Sequence, residues 1–215
     1  MYYGQCGEDE IVHERYFKNK RNGVFLELGA LDGVKYSNTK FFEDTLGWTG
    51  VLIEPLPDQF EKCKVNRPKS KIYNYIASNS EGSKNLYQND ATSSVTDHTS
   101  SRHFDKFHKH KNINVLSIEC KKLGDILHDA GITYIDFWSL DVEGAEYDVL
   151  QSMDWNIPVG VICIESFPEE EELNNKCRQI LRKNGFIYDG RVAHNELWIN
   201  PSQKRRNLVI TALKF

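Results

Sequence analysis

The chain has 215 residues, 40% of them hydrophobic, 12% aromatic and 27% charged. That is the balance of one globular domain, residues 1–215, able to bury about 70% of its unfolded surface, and it excludes both a disulfide-stapled miniprotein and a chain disordered throughout. Lys plus Arg number 27 against 31 for Asp plus Glu, a net charge of −4, so no overall positive field draws phosphate backbones or anionic lipid, and no nucleic-acid partner is expected.

Glu8 to Lys20 reads as a surface helix with Ile11, Val12, Tyr16 and Phe17 inward, stopped by Asn22-Gly23. A strand follows at Val24 to Leu28, and Ser37 or Asn38 caps a helix through Leu46, with Gly47 suited to its left-handed exit. Val51 to Ile53 is a second strand, Asp58 to Val65 a helix and Ile72 to Ala77 a third strand. Residues 79–112 are polar and without clear periodicity; a stretch so long inside a compact domain reads as a functional insertion with some short strands, a lid on the acceptor side. Leu123, Ile126, Leu127 and Ala130 share a helical face ended by Gly131, and Tyr134 to Leu140 is a fourth strand leading to a helix from about Gly144. Val159 to Ile164 is a fifth strand, Glu169 to Asn184 a helix with acids first and Arg182-Lys183 last, as the helix dipole favours. Phe186 to Tyr188, Leu197 to Ile199 and Leu208 to Leu213 supply the last strands, some of them antiparallel. Strands alternating with helices define an α/β fold: a Rossmann-like, doubly wound, mainly parallel sheet with helices on both faces.

The five cysteines, Cys6, Cys63, Cys120, Cys163 and Cys177, are odd in number, widely spaced and free of any Cys-x-x-Cys pair, which fits a reducing compartment and not a zinc site. The N-terminus has neither a basic nor an apolar leader pattern, and Val159 to Ile164 is too short to span a bilayer. The expectation is a soluble, cytoplasmic protein with no membrane insertion; the oligomeric state is not readable.

In such a sheet ligands bind beyond the carboxyl ends of the strands, so the residues where each apolar run stops carry the functional information. The first end, Glu27-Leu28-Gly29-Ala30-Leu31-Asp32-Gly33, spaces its glycines Gly-x-x-x-Gly and lacks the middle glycine through which a dinucleotide's pyrophosphate is approached. Its acids favour a cationic ligand, and S-adenosylmethionine carries an ammonium, a sulfonium and no phosphate. Glycine turns after strands also serve packing alone. Glu54, 27 residues beyond Glu27 and followed by Pro55, stands where an acid accepts hydrogen bonds from ribose hydroxyls, or caps a helix. Ala77-Ser78 either meets an adenine edge or is a bland strand end. At the fourth end Asp141 and Glu143 arrive together and Gly144-Ala145 lets the backbone turn into a helix; Asp141 faces cofactor or acceptor, while Glu146 reads as structural support. The Asn/Asp-Pro-Pro-aromatic run of base-amino methylation is absent here.

These pieces together resemble the FkbM-type S-adenosylmethionine-dependent methyltransferases. The resemblance rests on Gly4-Gln5-Cys6-Gly7-Glu8-Asp9, Glu27 to Gly33 with Ser37-Asn38-Thr39, Gly47 to Pro55, Ser93-Ser94 and Ile135 to Glu146, and it fades after Ile164. It implies a class I methyltransferase fold and methyl transfer to oxygen on a sugar or a small natural product. Under it Glu27, Gly29, Ala30, Asp32, Gly33, Asn38, Thr39, Glu54, Pro55, Ala77, Ser78 and Asp141 hold the cofactor.

A sugar hydroxyl needs a general base or a divalent cation to become nucleophilic. Asp141, Glu143, Glu165 at the end of the fifth strand, and His194 are the candidate catalytic groups. Asp141 and Glu165 are also the candidate ligands for magnesium or manganese, by analogy with metal-dependent small-molecule O-methyltransferases. A lone His194 is more often structural. The run His98, Arg102, His103, Lys106, His108, Lys109, His110, Lys111 either binds an anionic acceptor such as a sugar nucleotide or is a solvated loop. The rival functions are a non-catalytic nucleoside-binding module and an NAD-dependent oxidoreductase.

Overall fold

The computed structural model describes residues 1–100, 103–109 and 113–206. The expected strand Leu208 to Leu213, and Arg102, His110 and Lys111 of the basic run, lie outside the described residues.

Helix α1 (Glu8–Val12) opens with three acids in its first turn, where the dipole favours them, and runs into one wider turn, His13–Phe17, that carries Tyr16 and Phe17 into the core. The helix therefore ends before Lys20, whose ammonium instead reaches Asp136 at 2.7 Å. Strand β1 (Val24–Leu28) leads through a long turn to α2 (Lys40–Leu46), where Ser37 Oγ accepts the Lys40 N–H at 3.1 Å and Gly47, at φ 70°, makes the left-handed exit. There follow β2 (Thr49–Ile53), α3 (Pro57–Asn66), β3 (Lys71–Tyr73) and β4 (Ile76–Ala77). The insertion contributes β5 (Ser83–Tyr87) and β6 (Ser94–Val95), and β7 (Val115–Lys121) follows it. Last come α4 (Leu123–Asp129), β8 (Ile135–Leu140), α5 (Glu146–Ser152), β9 (Val159–Glu165), α6 (Glu171–Lys183), β10 (Ile187–Val192) and β11 (Asn195–Ile199).

The main sheet has seven strands in the order β10-β11-β9-β8-β1-β2-β3, with β11 antiparallel to both neighbours and the rest parallel. Its central strands are apolar on both faces because both are covered. Leu26, Trp138 and Ile162 pack with α4, α5 and α6 on one side, while Phe25, Phe137 and Val161 pack with α1, α2 and α3 on the other. The doubly wound architecture is as the strand–helix alternation implies. The chain leaves β1 toward β2 on one side, and β8 lies on the other, so the crevice of the sheet opens beyond Leu28 and Leu140.

A further expectation needs correction. The stretch Ile72 to Ala77 is not one strand: Asn74 turns to donate to the carbonyls of Glu54 and Pro55, both at 2.8 Å, and Ile76–Ala77 joins a second sheet. That four-stranded sheet, β4-β7-β5-β6, lies over a small core of Leu56, Ile76, Leu86, Val95, Ile118, Cys120 and Ala145; β5 and β6 fall within residues 79–112, and β7, the longest strand of this sheet, follows them. The alternation Leu116, Ile118, Cys120 in the sequence is the period-two signal that marks β7.

Candidate active site

A cleft partly open to solvent lies at the carboxyl ends of β1, β2, β8 and β9, roofed by the insertion. Gly29, at φ 76°, forms the bend after β1, and a Cβ there would stand 1.9 Å from the backbone carbonyl oxygen of Asp141. Only glycine permits β1 and β8 to end so close together.

Glu27 turns under the following loop. One carboxylate oxygen accepts from Ser37 Oγ at 2.9 Å and Thr39 Oγ1 at 2.6 Å, the other from the Asn38 N–H at 2.8 Å. Burial raises its pKa against the opposing pull of Arg67 and these donors. Arg67, from the end of α3, is wholly buried: it donates to Glu43 at 2.9 Å, the Gly33 carbonyl at 3.0 Å, Ser37 at 3.1 Å and Thr39 at 3.0 Å, with its guanidinium 5.1 Å from the Phe25 ring. One guanidinium thus pins the whole turn between β1 and α2, and nothing in the sequence signals it.

Glu54, at the end of β2, accepts the Leu31 N–H at 2.7 Å and the Leu56 N–H at 2.9 Å, one on each oxygen. Each oxygen keeps a lone-pair direction for a hydroxyl donor. Burial pushes its carboxyl up to about 8. Four non-glycine residues with positive φ line the cleft, Leu31, Tyr36, Asp90 and Glu143. Backbone strain of this kind concentrates at functional sites, because the surrounding structure must hold it.

The floor toward β8 and β9 is acidic. Oxygens of Asp141, Glu143 and Glu165 all lie within 4.8 Å of one another. Burial first, then the neighbouring carboxylates, raises the pKa of both Asp141 and Glu165. Glu146 accepts the N–H groups of Val142 at 3.1 Å and Gly144 at 3.2 Å and so shapes the loop itself.

The insertion closes on this loop in two places. The His98 carbonyl would be 2.9 Å from a Cβ on Gly144, and His103 Nδ1 lies 3.2 Å from Glu143 Oε2 while its Nε2 lies 3.0 Å from the Thr92 carbonyl. With an acceptor at each ring nitrogen the imidazole is best satisfied as the cation, and its pKa is raised: burial opposes this, but Glu143 and Thr92 outweigh it. His98 lies 3.3 Å from Asp148, and His108 contacts Ser94 Oγ at 3.1 Å. His98, His103 and His108 of the basic run therefore fold against the protein, while Lys106 and Lys109 stay exposed.

Of the residues singled out in the sequence, Glu27, Gly29, Asn38, Glu54, Pro55, Ala77, Asp141, Glu143 and Glu165 line the cleft. Ala30, Asp32, Gly33, Thr39 and Ser78 do not. Asp32 Oδ1 accepts the Val34 and Lys35 N–H groups, Gly33 faces Arg67 and Cys63, Ala30 sits in the core, Thr39 binds Glu27, and Ser78 donates to Asp148 at 2.7 Å. His194 lines a smaller cavity next door, with Asp141 and Glu165. Gln5, Lys35 and Tyr36 also line the cleft, and none of them belongs to a strand-end motif.

A crevice at the switch point of a doubly wound sheet, with a buried acid at the end of β2 and a glycine bend after β1, defines a nucleoside-cofactor-binding α/β protein. The family model of the methyltransferase FkbM domain matches residues 27–188, and the chain belongs to that family of S-adenosylmethionine-dependent methyltransferases. Among curated proteins none matches. Similar solved structures include a TehB-like SAM-dependent methyltransferase from Corynebacterium glutamicum (8% identity, TM-score 0.48, covering 91% of this chain and 88% of that one). Others are Aeropyrum pernix fibrillarin with natively bound S-adenosyl-L-methionine (12%, TM-score 0.45, 84% and 66%) and a precorrin-6y C5,15-methyltransferase from Geobacter metallireducens (10%, TM-score 0.44, 89% and 84%). Among the described residues no helix is long and apolar enough to cross a membrane.

Proposed function

We propose that this chain methylates a hydroxyl oxygen of a carbohydrate or related small molecule, with the insertion over residues 79–112 as its acceptor-side lid. What carries the reading is the group of carboxyls, Asp141, Glu143 and Glu165, with oxygens within 4.8 Å of one another at the floor of the cleft, beside the glycine bend. S-adenosylmethionine, when bound, supplies a methyl group on a sulfonium, a strong electrophile needing no activation. Gly29, Asn38 and Glu54 are the groups that would hold it, Glu54 toward ribose hydroxyls. The difficulty lies with the acceptor, because a protonated hydroxyl is a weak nucleophile. A carboxylate whose pKa is raised is a stronger base than an ordinary one, as general-base catalysis requires.

A second reading has its own observation. The oxygens of Asp141, Glu143 and Glu165 are grouped as ligands for magnesium or manganese are. Against it, Glu143 is engaged by His103. We take the base as the reading, and chelator treatment separates the two: turnover that survives EDTA keeps it, and turnover restored only by added magnesium or manganese replaces it.

The primary test is calorimetric titration of the dialysed protein with S-adenosylhomocysteine, repeated with NAD and with Glu54→Ala. Binding of S-adenosylhomocysteine alone, weakened by the substitution, is expected. Binding of NAD in its place makes the chain an oxidoreductase, and cofactor binding without turnover across a broad sugar screen leaves a nucleoside-binding module.

A further inference from the structure

Gln5 and Tyr36 line both the cleft and the smaller cavity beside it, as Asn38, Asp141 and Glu165 do, whereas Glu54, Pro55 and Ala77 line the cleft alone. The two residues therefore stand with the carboxyls of β8 and β9 and not at the Glu54 end. They are neighbours by construction, because Gly4 and Tyr36 form a parallel backbone bridge that joins the N-terminal segment to the turn after β1. Tyr36 sits at φ 62°, a left-handed backbone that an aromatic residue adopts only where its surroundings impose it. Two anchors impose it: the Val34 and Lys35 N–H groups donate to Asp32 before it, and Ser37 Oγ and the Asn38 N–H donate to Glu27 after it. Burial of the ring does not offset that strain. The residue is 43% exposed, Lys35 Nζ stands over one face of the ring at 4.9 Å, and its hydroxyl has no hydrogen-bond partner among the described residues.

Gln5 is mounted as firmly. On one side of it the Tyr3 N–H donates to Asp9 at 2.6 Å, and on the other the Cys6 N–H donates to Glu8 at 2.9 Å, both carboxylates being buried. A Cβ on Gly4 would lie 2.7 Å from Asn38 Oδ1 and from Asp9 Oδ1, so the strap is pressed onto its support. The Gln5 side chain that these contacts flank makes no hydrogen bond among the described residues, and Gln5 is exposed. No other described residue before Glu27 lines the cleft.

We infer that Gln5 and Tyr36 form the wall that selects the methyl acceptor, a neutral pyranoside whose C–H face stacks on the Tyr36 ring while the Gln5 amide, donor and acceptor at once, pairs with two adjacent hydroxyls. The inference rests on the methyltransferase reading and deepens it, since it names the residues that meet the acceptor and the shape they accept. A pyranose combines an apolar face with a rim of hydroxyls, which matches a half-exposed aromatic ring with a planar amide beside it. A simple phenol has the flat face but only one hydroxyl for the amide. Asp90, Ala91, Ser93 and Val95 of the insertion line the same cleft, so a sugar on this wall lies beneath the lid.

Saturation-transfer difference NMR on protein loaded with S-adenosylhomocysteine tests this. The probes are methyl pyranosides of neutral hexoses and 6-deoxyhexoses, with p-cresol as the flat phenol. At least one glycoside is expected to receive saturation, strongest on the C–H protons of one ring face. Tyr36→Asn removes the ring and places there a residue that takes the left-handed backbone readily, so the face-selective signal should vanish and the dissociation constant rise about tenfold. Tyr36→Phe should keep both. Gln5→Ala should weaken binding about tenfold and leave the face pattern in place. The inference is overturned by no signal from any glycoside, by the same signal in Tyr36→Asn, or by p-cresol binding more tightly than every glycoside. Calorimetric titration with S-adenosylhomocysteine runs beside each sample and is expected to be unchanged in all three variants. Lost affinity in Tyr36→Asn or Gln5→Ala would make the wall part of the cofactor's seat and overturn the inference too. A parent protein that binds S-adenosylhomocysteine but no glycoside loses only the acceptor wall, and one that does not bind it loses the methyltransferase reading as well.

Discussion

The bend at Gly29 and the backbone carbonyl of Asp141 touch: a Cβ at Gly29 would lie 1.9 Å from that oxygen, and the φ of 76° is itself unfavourable for any side chain. Gly29→Ala therefore has to push β1 and β8 apart where the cleft begins. The expected loss of stability is about 3 kcal/mol or more, from backbone strain plus the clash, with S-adenosylhomocysteine binding abolished. A urea melt and a calorimetric titration check both.

Glu54 is held near 8 by burial while the protein is free. Ribose hydroxyls donating to it would favour its charged form, so cofactor-product binding near pH 7 is expected to release protons, seen as a binding enthalpy that depends on the buffer's ionisation heat. Glu54→Gln removes that dependence and weakens binding by about 1.5–3 kcal/mol, roughly 10- to 100-fold. For stability the sign is the reverse of a salt-bridged carboxylate: its folded pKa lies above the unfolded value of 4.5, so stability present at low pH declines as pH rises from about 4.5 through 8.

The strand ends were legible because a parallel sheet writes its strands as apolar runs, and Glu27, Glu54, Asp141 and Glu165 each stand where such a run stops. Motif membership did not separate the residues that face the cleft from those that brace it. Gly33, Asp32 and Thr39 sit in the same motif as Gly29, yet they meet Arg67, the loop's own amides and Glu27. Arg67 and the partner of His103 were beyond reach for a different reason. Their roles come from contacts across 24 and 40 residues of chain, the Arg67–Glu43 and His103–Glu143 pairs, and no local pattern encodes those.

Arg67 is wholly buried between Glu43 and Glu27 and holds the turn that carries Asn38. Removing it strands two buried carboxylates. Arg67→Ala is expected to cost about 3–5 kcal/mol, and Arg67→Lys to recover only part of it, since an ammonium lacks the planar fork that reaches Glu43, Gly33, Ser37 and Thr39 together. Chemical denaturation of the two variants side by side measures the difference.

His103 ties the insertion to Glu143, and its pKa is raised above 6.5 in the folded protein. The pair's contribution is fully present below the unfolded value and is lost as pH climbs through the folded one. The insertion should accordingly become more open to limited proteolysis as pH rises past 6.5. In His103→Gln cleavage should be faster and nearly independent of pH; cleavage of the parent protein that does not change with pH would sink the latch.

Burial first, then the neighbouring carboxylates, places Asp141 and Glu165 both well above ordinary carboxyls, so each holds its proton to higher pH. Turnover should rise with pH as that proton leaves, since the base form is the one that takes the acceptor's proton. Asp141→Asn keeps the shape but not the basicity, so turnover should fall about 10²- to 10⁴-fold while S-adenosylhomocysteine affinity is unchanged. Stability should move the other way. The parent loses stability as pH rises through the raised values of the pair, and Asp141→Asn, with one buried charge fewer, should be the more stable protein at high pH and equal to the parent at low pH. Thermal melts across pH read this without any acceptor. A variant that loses cofactor binding along with turnover would instead make Asp141 part of the cofactor's seat.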